Sequence, residues 1–103
     1  MLIIRGVNVF PSQIEEQILR ESALAPHYIL EVTRPDRMDQ IKVIVERREG
    51  KSADEYKRAG QELGQNIKTM IGISVAVDMV PPGKVERSVG KAKRIRDLRS
   101  PER

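Results

Sequence analysis

Two stretches of strict alternation, His27 to Arg34 and Ile41 to Glu46, stand on either side of Pro35-Asp36-Arg37-Met38-Asp39. Tyr28, Leu30 and Val32 share one side of the first, and Ile41, Val43 and Val45 share one side of the second, so each reads as a half-buried strand. A proline and two aspartates in so short a connection make an antiparallel hairpin the expectation. A hairpin with one apolar face does not stand alone in water. The rest of the chain must cover that face.

Two helix patterns supply the cover. Phe10-Pro11-Ser12 opens the first: Ser12 and Glu15 have the S-x-x-E spacing of a capping box, and Ile14, Ile18 and Leu19 form its expected buried stripe. That helix should fade near Glu21–Ala23. Ser52 and Glu55 repeat the spacing before a longer helix, in which Tyr56, Ala59, Leu63, Ile67, Met70 and Ile71 recur at three- and four-residue steps up to the stop at Gly72. Residues 2–9 suit two very short strands folded at Arg5-Gly6. Ser74 to Val80 is a further strand, with Val75, Val77 and Met79 inward, ended by Pro81-Pro82-Gly83. The order implies an α+β, ferredoxin-like split βαβ fold: a β-hairpin start, two helices on one face of a small, mostly antiparallel sheet, and a basic C-terminal loop. The last twenty residues fall outside this unit, as a loop followed by a short strand or helix around Ile95 and Leu98.

Composition narrows the chemistry. With 103 residues the chain forms one domain, large enough for a core but too small for a deep, self-contained cleft as well. It begins inside a strand pattern and is expected to be a piece of something longer. One Phe, two Tyr and no Trp leave the core to aliphatic residues and argue against base stacking. The absence of cysteine excludes disulfides and thiolate catalysis, and a single histidine argues against a His-rich metal site, so no metal ligands are assigned. No apolar run approaches the ~20 residues of a membrane-spanning helix, so the expected location is cytoplasmic, with no membrane partner. Of the net charge of +4, residues 82–103 carry +5, from eight Lys or Arg against three acids. Such a local cation suits a phosphate better than a long polyanion, and nucleic acid is disfavoured. Its centre is Arg87-Ser88-Val89-Gly90-Lys91-Ala92-Lys93-Arg94, which sets a lysine behind a glycine.

The two ends of the chain, Leu2-Ile3-Ile4-Arg5-Gly6-Val7-Asn8-Val9-Phe10-Pro11-Ser12-Gln13-Ile14-Glu15 and Arg87 to Arg94, together resemble the C-terminal lid domain of the acyl-adenylate-forming ligases. Within that family the likeness is strongest to the phenylacetate, or aryl-acid, CoA ligase branch. Ile3 and Gln13, where many acyl-CoA synthetases have lysine and glutamate, fit this branch. Glu86 departs from the proline that often precedes the lysine loop.

The resemblance implies that residues 1–103 are a single lid domain, inactive by itself, whose large N-terminal adenylation domain is absent. It implies ATP and CoA as substrates, an aryl carboxylic acid, and Mg2+ in the complete enzyme, with none of these held tightly by this domain alone. Lys91 would be the adenylation lysine, with Gly90 letting the backbone approach closely. Gly6 and Val7 would line the channel for the pantetheine arm after the lid rotates, and Arg87, Lys93 and Arg94 would attract nucleotide or CoA phosphates. A homodimer is left open. The competing expectations are a ferredoxin-like module that senses a small molecule, and a small basic RNA-binding domain. Read without the resemblance, Lys91 is a solvated lysine, Gly6 a hairpin glycine, Glu15 a capping residue, Asn8 a turn residue and His27 a strand-edge histidine.

Overall fold

The computed structural model describes residues 2–35, 38–85 and 95–98. Strands β1 (Leu2–Ile4) and β2 (Val7–Val9) pair antiparallel, with Leu2 opposite Val9 and Ile4 opposite Val7. Only Arg5 and Gly6 connect them, at φ 51° and 78°. Two successive left-handed residues form the turn whose twist matches a hairpin, and glycine takes the second position without strain. Ile4 and Val9 point inward and are fully buried.

Helix α1 (Pro11–Leu19) starts before the expected Ser12 cap. Proline is suited to the first helical position, where its missing N–H leaves no bond unmade. Phe10 therefore becomes the capping residue, its N–H donating to Gln13 Oε1 at 3.3 Å. Glu15 is released from capping and accepts a hydrogen bond from the Tyr28 hydroxyl at 2.9 Å, joining α1 to the sheet. Ile14 and Ile18 are buried as expected, but Leu19 is 61% exposed and Gln17 takes its place in the interior. The reason is angular: Leu19 lies about 100° around the helix from Ile18, whereas Gln17 lies one turn from Ile14.

Strands β3 (Leu24–Thr33) and β4 (Gln40–Arg47) form the expected antiparallel pair, with Tyr28 opposite Val45, Leu30 opposite Val43 and Val32 opposite Ile41. β3 starts earlier than His27, its register shifting between Leu24 and Tyr28, where Pro26 interrupts the ladder. Helix α2 (Ala53–Ile71) has the expected reciprocal cap: Glu55 N–H donates to Ser52 Oγ at 3.2 Å and Ser52 N–H to Glu55 Oε1 at 3.3 Å. Gly72, at φ 80°, ends it through an N–H bond to the Lys68 carbonyl at 2.8 Å. β5 (Ala76–Val80) then runs parallel to β4, and β6 (Ile95–Asp97) parallel to β3.

The larger sheet has the order β5-β4-β3-β6, and the opening hairpin forms a separate two-stranded sheet. The β3 flank is taken by β6. The fold is thus α+β, with two helices and small mixed sheets. Ile14, Ile18, Ala59, Leu63 and Ile67 from the helices meet Tyr28, Leu30, Val32, Ile41, Val43 and Val45 in one core.

Candidate functional site

The Arg5-Gly6 turn projects from the hairpin, and a Cβ placed on Gly6 would meet nothing within 4 Å. Val7, expected beside it as a channel residue, is half-buried and packs on the core. The turn is attached to the sheet through Asp39: Arg5 Nε donates to the Asp39 carbonyl at 2.9 Å, and Arg5 N–H to Oδ2 at 3.5 Å. Asp39 Oδ1 in turn holds Arg34 Nε at 2.6 Å. One aspartate thus ties the hairpin to the β3–β4 connection.

The second expected stretch lies outside the described residues, so Arg87, Gly90, Lys91, Lys93 and Arg94 have no described placement. The chain leading to it is anchored to the sheet at Val85. Val85 is 4% exposed and Glu46, on β4, is 1% exposed. Glu46 Oε1 accepts the Gly83 N–H at 3.0 Å and Oε2 the Val85 N–H at 2.9 Å. The intervening Gly83 has φ 85°, and Lys84 N–H closes onto the Pro81 carbonyl at 3.2 Å. Strand alternation places Glu46 opposite the aliphatic face, where solvent is expected; the 81–85 turn folds over it instead. On the same side, Arg96 of β6 pairs with Glu31 of β3 at 3.2 Å.

An open groove of about 580 Å3 between α2 and β5 is lined, among the described residues, by Lys57, Gly60, Gly64, Lys68, Val77 and Met79, with others, and not by Gly6 or Val7. Near α1, Glu21 has its pKa raised above the ordinary 4.5, first by burial and then by the adjacent Glu62 carboxylate. Among the described residues no group of three His, Cys, Asp or Glu is placed to hold a metal ion, and no helix is long and apolar enough to cross a membrane. The aromatic residues offer no stacking platform on the sheet. Tyr28 is 4% exposed, and the half-buried Tyr56 carries the Arg47 guanidinium 5.2 Å above its ring.

Comparison with known proteins places this geometry. A family profile described as the AMP-binding enzyme C-terminal domain matches residues 6–99. The chain is 48% identical over 103 residues to phenylacetate-coenzyme A ligase of Escherichia coli (strain K12), covering 97% of this chain and 24% of that one. The chain therefore spans about a quarter of the length of the curated relatives it matches. It resembles the crystal structure of a domain of phenylacetate-coenzyme A ligase from Bacteroides vulgatus ATCC 8482, with a TM-score of 0.87 and 29% identity, over 97% of this chain and 93% of that one. A structure of 2-hydroxyisobutyryl-CoA ligase with 2-HIB-AMP and CoA in the thioesterification state gives a TM-score of 0.86 and 28% identity, over 96% of this chain and 21% of that one.

Proposed function

This chain belongs to the AMP-binding enzyme C-terminal domain family, and on that premise we propose that it is the mobile C-terminal domain of an ATP-dependent, AMP-forming phenylacetate (aryl-acid) CoA ligase. The observation that carries the reading is the span of the family match: residues 6–99 take in both the exposed Gly6 turn and the Arg87 to Arg94 stretch. A large N-terminal adenylation domain, in the same chain or a separate one, binds the nucleotide and selects the acid.

Two half-reactions require two faces of this domain. In the first, a carboxylate oxygen of the acid bonds to the α-phosphorus of ATP and pyrophosphate leaves. Both reactants are anionic, so a cation must lie between them. The Lys91 ammonium, on a flexible stem, contacts a carboxylate oxygen and a phosphate-side oxygen together and stabilises the charge that develops in transfer. Gly90 allows close backbone approach, and Arg87, Lys93 and Arg94 draw in phosphates. In the second half-reaction the domain has rotated, and the CoA thiol, losing its proton, bonds to the acyl carbon while AMP leaves. The surface at Gly6 and Val7 then lines the pantetheine channel. Gly6 suits this role because no side chain stands in front of its backbone. Mg2+ would accompany the phosphates of ATP, on residues outside this chain.

The test is Lys91→Ala in the complete ligase. Adenylate formation from phenylacetate and ATP should fall at least about a hundredfold, the order seen when a charge-stabilising group is removed. Thioester formation from supplied phenylacetyl-AMP and CoA should change far less. Equal losses in the two half-reactions would remove the role assigned to Lys91.

A further inference from the structure

We propose that Glu46 is a positioning residue for adenylation: its buried carboxylate fixes Gly83 to Val85, the described segment that leads to Lys91. The inference rests on the reading of Lys91 given above. A carboxylate leaves water only where donors replace the solvent. Here two backbone N–H groups of one short segment do so, one on each oxygen, at 3.0 and 2.9 Å. The Gly83 backbone, at φ 85°, turns the chain so that both N–H groups face the same carboxylate. The side chain comes from the middle of the sheet, since β4 lies between β3 and β5. Val85 is consequently fixed with respect to the sheet rather than to its neighbours in sequence. A lysine six residues further on starts its reach from a defined point.

Neither oxygen can be replaced without loss. A glutamine at this position keeps one acceptor and turns a donor NH2 toward the other N–H. The segment would shift by a fraction of an ångström or more, and displacement of a reacting group on that scale costs about ten- to a hundredfold in rate. In this scheme Glu46 acts through the backbone of residues 83–85 and is assigned no contact with substrate.

The experiment compares Glu46→Gln, Gly83→Ala, Lys91→Ala and the double variant Glu46→Gln with Lys91→Ala, all in the complete ligase. A Cβ on Gly83 meets nothing within 4 Å, so that variant acts through backbone strain and leaves the carboxylate in place. It reads the same comparison should Glu46→Gln fail to fold. Pyrophosphate release with phenylacetate and ATP reports adenylation, and supplied phenylacetyl-AMP with CoA reports thioester formation. Glu46→Gln and Gly83→Ala should each lower adenylation by about tenfold or more while thioester formation stays within about twofold. Added to Lys91→Ala, Glu46→Gln should have no further effect on adenylation. A full additive loss in the double variant, or equal losses in both half-reactions, would overturn the inference. If Lys91→Ala is selective and Glu46→Gln is not, the Glu46 inference alone falls. If Lys91→Ala is itself unselective, the lysine assignment falls and takes this inference with it.

Discussion

Asp39 and Glu46 hold two different parts of the domain by different physics. Asp39, at the end of the β3–β4 connection, ties down the Arg5-Gly6 turn through an arginine, its own carbonyl and the Arg34 ion pair. Glu46, under the 81–85 turn, is itself buried and uses backbone N–H groups, that of the buried Val85 among them. Arg5 is exposed, and a guanidinium beside water can exchange its partner for solvent at little cost, so that link is weak, while the partly buried Arg34 pair is screened by salt only in part. A buried amide has no such substitute. The turn expected to serve the CoA step is therefore held softly, and the segment expected to serve adenylation is held hard.

Substitutions at these positions test that contrast. Glu46→Ala leaves the Gly83 and Val85 amides without their carboxylate and should lower the unfolding free energy by about 2–4 kcal/mol, measured by urea denaturation. A loss below about 1 kcal/mol would make the buried link no stronger than a surface one. Asp39→Asn should cost about 0.5–1 kcal/mol at low salt and less in 1 M salt. An effect that did not shrink with salt would place Asp39 in the same class as Glu46.

Glu21 supplies the opposite case, a carboxylate whose close neighbour is another acid. Its raised pKa means that the folded state holds the proton more tightly than the unfolded state does. Its favourable contribution is full below the ordinary 4.5 and is lost as pH rises through the folded value. Glu21→Gln should therefore reduce the fall in stability with rising pH in that window and be neutral or slightly stabilising at pH 7. Thermal midpoints across pH measure this, and an unchanged slope would remove the assignment. It is the smallest of the three effects, because Glu21 is only half-buried.

What could be read from the residues follows from the range of the interactions. The hairpin of β3 and β4, the Ser52 cap and the Gly72 stop depend on neighbours within a few residues, and they are where the patterns place them. The Arg5-Gly6 turn was legible for the same reason. Ser12 looked like a cap because Pro11, just before it, takes the first helical position unannounced. Leu19 adjoins Ile18 in the expected stripe, but the helix turns it outward. Glu46 was not legible at all. Alternation assigns it to solvent, and a turn from residues 81–85, distant in sequence, covers it. A search for acids followed within about forty residues by a Pro-Pro-Gly turn could have drawn attention to it, though with little specificity. Of the expected site residues, Gly6 and Val7 are in described positions, whereas the Arg87 to Arg94 stretch lies outside them.

The pairing of β6 with β3 has a further consequence. Val85 is attached to β4 through Glu46, and Ile95 lies beside Leu30 on β3, so the residues numbered 86–94 are bracketed by adjacent strands of one sheet. Bringing together the ends of a segment of that length removes about 2 kcal/mol of chain entropy. That loss occurs when the domain folds. Any ligand that meets the chain between these two positions would find their separation already set by the sheet.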